Sequence, residues 1–346
     1  MKVLVTGTEG YIGTLLGPYL LGRGHDVMGV DTGFYREKQL YNAHLPAYPQ
    51  LNRDIRTLHA SDLEGFDAVV HLAELSNDPL GQHNPELTYA INHRGSLHLA
   101  NLCKLVGIPR FVYTSSCSVY GIGGDGEVKT EASPPQPQTV YAQCKVLVER
   151  DVAALADDSF APTFLRNATA YGASPHMRFD VVVNNLAGLA WTTREIRLTS
   201  DGSPWRPLVH VLDICEAVAC VLDAPRAAVK GQIFNVGDTE ANYQVREIAE
   251  IISNTFAGCG LTIGNSDGDN RSYRVSFDKI REHLPDFRCR WTVPLGAAQL
   301  RDLFAEINMS EATFRDRAFT RLKQLEHLLQ THQVDEQLYW AEPARV

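Results

Sequence analysis

Short, continuous apolar runs alternate with stretches of helical periodicity through the first half of the chain. Val3-Leu4-Val5-Thr6 predicts a strand buried on both faces, and the stretch from Tyr11 to Arg23 predicts a helix stopped by Gly24. Val27 to Val30 and Ala68 to Leu72 predict two more strands. Leu87 to Val106 predicts a helix with Pro109 beyond its end, Phe111 to Thr114 a strand, Val140 to Ala156 a helix, and Thr163 to Leu165 a strand. Runs this apolar suit strands covered on both faces, and their alternation with helices suits a parallel, doubly wound sheet. After about Gly172 the rhythm breaks. Loops rich in Gly, Pro, Ser and Asp then mix with a strand at Ile233 to Val236 and a helix at Val245 to Asn254. Glu311 to Trp340 predicts one or two amphipathic surface helices, with packing or oligomerisation as their role. There is no internal repeat and no low-complexity segment.

Length and charge narrow the function classes. At roughly 150 residues per domain, 346 residues suggest two domains, or one large domain with a smaller lobe. With 41 acidic against 32 basic residues the net charge is −9, which disfavours binding duplex nucleic acid or an anionic lipid surface by charge. No apolar run reaches the length of a membrane span, and the segment after Met1-Lys2 lacks the pattern of a signal peptide. Seven scattered cysteines with no Cys-x-x-Cys, and no histidine pair at zinc-ligand spacing, predict reduced thiols, no metal site and a cytoplasmic protein.

The first predicted strand runs into Gly7-Thr8-Glu9-Gly10-Tyr11-Ile12-Gly13, which opens the first helix. Glycines at this spacing permit a tight turn and a close backbone approach to a pyrophosphate, and the helix N-terminus offers free N–H groups to it. Asp31 lies 18 residues after Gly13, at the end of the second strand, where a dinucleotide fold places an acid on the adenosine ribose. A carboxylate there repels a 2′-phosphate, so the pattern predicts NAD rather than NADP. Asp54, in Asn52-Arg53-Asp54-Ile55-Arg56, is a candidate adenine-side contact, with a solvated loop acid as the bland alternative.

Tyr141 and Lys145 form Tyr-x-x-x-Lys at the start of a predicted helix, on one helical face. An ammonium beside a phenol favours the phenolate, and a tyrosine tuned in this way can exchange a proton with a hydroxyl or carbonyl oxygen. Upstream, Thr114-Ser115-Ser116-Cys117-Ser118-Val119-Tyr120-Gly121 follows a strand, so its serines face the ligand crevice of an open α/β sheet. The glycine loop, this serine segment and the Tyr-x-x-x-Lys resemble the extended short-chain dehydrogenase/reductase family, in its nucleotide-sugar epimerase/dehydratase branch. The resemblance runs from residue 1 to about 290. It implies a Rossmann-type domain over residues 1–172, completed by segments near 207–238. The remainder, 173–206 and 239–346, would form a smaller mixed α/β substrate-binding lobe and C-terminal helices.

The resemblance also implies roles. Ser116 would hydrogen-bond the reacting sugar oxygen, Tyr141 would be the acid/base, and Lys145 would hold the nicotinamide ribose. Gly7, Gly10, Tyr11, Ile12, Gly13, Asp31, Asp54, Ile55, Leu72, Ala73 and Asn92 would line the NAD site. Ser76, Asn185, Arg206 and Arg271 would hold a nucleotide-diphosphate sugar, the two arginines through its phosphates. Asn184 resembles another such contact, and Asn77 and Asp78 would shape specificity. Where the family's 4,6-dehydratases carry an acidic pair after the central residue, this chain has Cys117 and Ser118. That departure favours an epimerase acting at C4 through a transient 4-keto sugar. A 4-ketoreductase, an unusual dehydratase and a non-catalytic NAD-sensing module are the alternatives. A homodimer is expected by resemblance.

Overall fold

The computed structural model describes residues 1–76, 84–124, 127–266 and 272–341. Seven strands form the main sheet: Lys2–Thr6 (β1), Asp26–Asp31 (β2), Gln50–Asn52 (β3), Ala68–His71 (β4), Arg110–Ser116 (β5), Ala161–Asn167 (β6) and Ile233–Val236 (β7). They lie in the order β7-β6-β5-β4-β1-β2-β3, and every pairing is parallel. This is a Rossmann-type α/β fold. The order reverses between β1 and β4, and an open α/β sheet binds its ligand at such a switch point, outside the strands' carboxyl ends.

Alternate residues of each strand feed opposite cores. Val3 and Val5 join Leu16, Leu20, Ile214 and Val218 on one face, while Leu4 and Val69 join Leu99, Cys103, Val148 and Val152 on the other. The first face is covered by helices Gly13–Gly22 (α1) and Val211–Asp223. The second is covered by Val140–Ala153 (α2) and by the helical run from residue 85 to 105. That run is not the single α-helix expected from Leu87 to Val106. Its middle, Tyr89–Gly95, is π-helical. The extra residue turns the Asn92 amide inward, where it donates to Leu75 O (3.0 Å) and accepts from Leu75 N (2.8 Å).

Beyond Gly172 the chain builds a second core from helices Val182–Thr192, Val245–Thr255 and Val293–Glu306, around Phe179, Ile248, Leu300 and Phe304. A three-stranded sheet of Thr169–Tyr171, Trp205–His210 and Asn242–Gln244 joins this core to the cleft. Between Trp205–His210 and Asn242–Gln244 the chain returns to the main sheet to add β7. The C-terminal stretch departs from expectation. Arg321–Gln330 is a helix, but Arg321, Gln324, Leu325 and Leu328 are buried, packed with Phe34, Leu75 and Ile91. Residues 321–341 form a strap against the Rossmann domain rather than surface helices.

All seven cysteines are free thiols. Among the described residues no helix is long and apolar enough to cross a membrane, and no group of side chains could hold a metal ion.

Burial makes four histidines, His25, His71, His176 and His210, harder to protonate in the fold, which is expected to weaken it in acid. His71 sits between Thr6 Oγ1 and Ser96 Oγ, and burial pulls its imidazole down to about 3. Burial holds His176 and His210 down to about 4. Each is harder to protonate folded than unfolded, so its contribution is complete above about pH 6.5 and is lost as pH falls, by up to ~1.4 kcal/mol per pH unit. The midpoint of urea unfolding at pH 5.5 is therefore expected below that at pH 7.5. Equal midpoints would mean that buried carboxyls such as Asp213, pushed up to about 6 and so gaining stability as pH falls, offset the loss from the imidazoles.

Candidate active site

A cleft of about 810 Å³ opens over the carboxyl ends of the strands. Its floor is the glycine loop. Gly7 has φ +79° and donates to Val30 O, tying β1 to β2. A Cβ on Gly13 would lie 2.0 Å from Gly7 O, and one on Gly7 would lie 2.9 Å from Ala73 N. The loop is thus closed against itself and against the end of β4, and only glycine fits at either position. No side chain caps the start of α1, which leaves its first amides to the cleft. Gly7, Gly10, Tyr11, Ile12 and Gly13 all line the cleft. Tyr11 contributes backbone only: its hydroxyl donates to Gly172 O (2.7 Å), accepts from Asn184 Nδ2 (3.1 Å), and is held protonated by burial.

Asp31 ends β2 facing the cleft, with Oδ2 accepting from Glu9 N (2.9 Å) and Oδ1 from Gly33 N (2.8 Å). Burial pushes its carboxyl up, and these two N–H groups pull it back toward the ionised form. A carboxylate held rigidly in this way suits the paired hydroxyls of a ribose. Asp54 and Ile55 line the same end, and Asp54 is locked by a two-pronged bond from Arg56. Leu72 and Ala73 form the wall beside the glycine loop. The cradle that a Cβ would fill, the open helix end and the oriented carboxylate all fit NAD. Asn92, expected on this surface, is absent from it: fully buried, it spends both amide groups on Leu75 and so positions the loop that follows β4.

The opposite wall carries the reactive groups. Thr139 caps α2 by accepting from Ala142 N, and the first turns of α2 bring Tyr141 and Lys145 into the cleft together. The Lys145 ammonium lies 5.4 Å from the Tyr141 ring centroid and 4.5 Å from that of Tyr113. It donates to Thr114 O and pairs with Glu74 Oε2 at 2.6 Å. Burial disfavours the ammonium, but the charge of Glu74 and the nearby Tyr141 outweigh it and hold Lys145 above its ordinary range. Glu74 itself is pushed up by burial, against the pull of Lys145, and accepts from Tyr113 OH. Ser116 ends β5 in the cleft, its Oγ accepting from Ser118 N (3.1 Å). Cys117 points away: its thiol donates to Arg166 O, and burial pushes the thiol well above its usual range, so it serves packing. Cys144 is buried as well. The Ser118 hydroxyl is buried with no hydrogen-bond partner among the described residues, at the cleft wall.

On the far side Ser76, Asn185 and Arg206 line the cleft. Ser76 Oγ accepts from Arg178 Nη1 (3.0 Å), and Asn185 donates to Phe179 O (2.9 Å). Asn184 is not a ligand contact. It is fully buried and braces Gly172 and Tyr11. Arg271, Asn77 and Asp78 lie outside the described residues. Five charged residues of the cleft are not singled out from the sequence: Arg53, Glu74, Arg178, Asp180 and Arg321. Arg178 and Asp180 form a two-pronged pair (2.8 and 2.9 Å). Asp213 accepts from the N–H groups of Arg290 and Trp291 and so braces the backbone there.

Comparison with known proteins agrees with this fold. A UDP-glucose 4-epimerase of Neisseria meningitidis serogroup C is 28% identical over 287 residues, 76% of this chain and 84% of the relative. The structure of MoeE5 in complex with UDP-glucose and NAD superposes with a TM-score of 0.75 at 25% identity, covering 89% of this chain and all of the other. The dTDP-glucose 4,6-dehydratase DesIV of Streptomyces venezuelae, with NAD and TYD bound, shares the fold at a TM-score of 0.75 and 23% identity, over 88% of this chain and 97% of its own. The profile of the NAD dependent epimerase/dehydratase family matches residues 3–237, from β1 through the end of β7, and the chain belongs to that family.

Proposed function

We propose that the protein is an NAD-dependent nucleotide-sugar epimerase that inverts C4 through a transient 4-keto sugar. The observation that carries this reading is the convergence of Ser116, Tyr141 and Lys145 on one wall, with no carboxylate at Cys117 or Ser118. The similarity to relatives named UDP-glucose 4-epimerases supports it.

NAD, when bound, accepts and returns a hydride. Gly7 to Gly13 hold its pyrophosphate and Asp31 its adenosine ribose. Ser116 donates to the C4 oxygen and orients it, and Tyr141 removes the hydroxyl proton as the carbonyl forms. Lys145 stabilises the phenolate and binds the nicotinamide ribose. The keto sugar then turns about its phosphate linkage, with Arg206 and Asn185 as anchors, so that the hydride would return to the opposite face of C4 while Tyr141 returns the proton to the C4 oxygen.

Incubation with a panel of nucleotide sugars in deuterated water, followed by NMR, tests this. C4 inversion with no solvent deuterium in the sugar is expected. Deuterium at C3 or C5, or loss of a hydroxyl, would replace the reading with enolisation or dehydration. Arg206→Ala is expected to raise KM about tenfold or more with a smaller change in kcat. An unchanged KM would remove Arg206 from the phosphate site.

A further inference from the structure

Arg321 is the first residue of the strap helix, 84 positions beyond the end of the family match at residue 237. It is 3% exposed yet lines the cleft. Its guanidinium stacks 4.1 Å from the Tyr35 ring centroid, and Nη2 donates to His176 O (3.0 Å). Nη1 is buried with no partner among the described residues, and no carboxylate there pairs with Arg321. A buried cation without a direct ion-pair partner is costly, and burial pulls this one down to about 10 against the more distant charges of Asp180 and Asp31.

Its neighbours identify the missing anion. His176 lies in the segment whose Ser174 Oγ donates to Tyr11 O, so Arg321 is joined through it to the glycine loop. The field of Arg321 lowers both the Tyr11 phenol and the Asp31 carboxyl. The guanidinium therefore stands within electrostatic reach of the pyrophosphate cradle on one side and the ribose carboxylate on the other. The strap that carries it is fastened to the adenosine end. Trp340 Nε1 donates to Thr32 O (2.6 Å), Gln324 Nε2 to Phe34 O (3.0 Å), and Arg56 to Gln337 O (2.9 Å).

We propose that Arg321 is a ligand of the NAD pyrophosphate, so that the C-terminal strap completes the cofactor site opposite the glycine loop. A guanidinium fork matches phosphate oxygens, and Nη1 is the prong left open for one. An epimerase regenerates its cofactor every cycle and gains by not releasing it. A strap closed over the pyrophosphate serves that retention. The assignment rests on NAD lying along the glycine loop. A chain that holds NAD through Arg321 but epimerises no sugar would leave it standing and would overturn only the epimerase reading.

Dissociation constants for NAD, ADP-ribose and adenosine, measured by calorimetry on protein stripped of nucleotide, test it, together with the NAD content as purified. Arg321→Met is expected to bind NAD and ADP-ribose about 10- to 100-fold more weakly, with adenosine within twofold of the parent. Arg321→Lys, which keeps the charge and guards against misfolding, is expected to lose a smaller factor for the same two ligands only. UDP binding to the NAD-loaded parent and variants is expected to be equal. Parallel loss for adenosine would make Arg321 structural. Weaker UDP binding with NAD unaffected would assign it to the substrate's phosphates, and no change for any ligand would overturn the proposal outright.

Discussion

Replacing Tyr141 by Phe is expected to lower kcat by about three orders of magnitude while leaving NAD bound and the fold intact. The reasoning is local. Tyr141 stands in the first turn of a helix capped by Thr139, and its ring packs beside the Lys145 ammonium. Phenylalanine keeps that ring, the cap and the wall of the cleft, and removes only the oxygen to which the proposed mechanism assigns the proton exchange. Binding and positioning by the glycine loop, Asp31 and Arg206 should persist. Turnover of the sugar identified by NMR, bound NAD after gel filtration and the thermal midpoint together check it. Turnover within tenfold of the parent would remove Tyr141 as acid/base and pass the role to another cleft group such as Glu74 or Ser118. Ser116→Ala is expected to cost less, because the proposed mechanism has Ser116 orient the oxygen without carrying a net proton.

The parts of this molecule written in short-range pattern were legible in the sequence. A strand buried on both faces is a run such as Val3-Leu4-Val5, and its two faces do serve two cores. Tyr141 and Lys145 share a helical face because they are four residues apart, and Gly7 to Gly13 are contiguous. What escaped depends on contacts between distant segments. Glu74 reads as a loop acid until β4 and α2 bring it to Lys145, 71 positions on. Arg321 reads as one face of a surface helix, because nothing near it records that Thr32 and Phe34 receive the strap. Asn92 reads as a ligand residue from its place in a motif, whereas the π-helical turn points its amide at Leu75. Hydrophobic periodicity does not foresee that turn, because it reports the face of a regular helix and not one extra residue within it.

Glu74→Gln is expected to produce two separable effects. The first is stability. Glu74 and Lys145 pair at 2.6 Å with side chains 2% and 4% exposed. Removing one charge strands the other, at a cost of about 3 kcal/mol in unfolding free energy. Glutamine keeps the shape but can face either Tyr113 OH or Lys145 with its oxygen, not both. The second effect is on the proton chemistry. The Glu74 carboxylate offsets the field of Lys145 and draws the ammonium toward Thr114 O. An uncharged amide no longer offsets the ammonium's field on the Tyr141 phenolate for as long as Lys145 keeps its proton, although burial then pulls Lys145 itself down. The acid limb of kcat/KM should then move down by about one pH unit. A purely structural role would lower stability without moving the limb. A fall in kcat of about a thousandfold with the limb unmoved would instead make Glu74 a proton donor or acceptor to the sugar, and the cleft would then hold the carboxylate that Cys117 and Ser118 do not supply. Urea titration and pH–rate profiles of the one variant distinguish the three outcomes, because burial of an ion pair and control of a neighbouring phenol act on different observables.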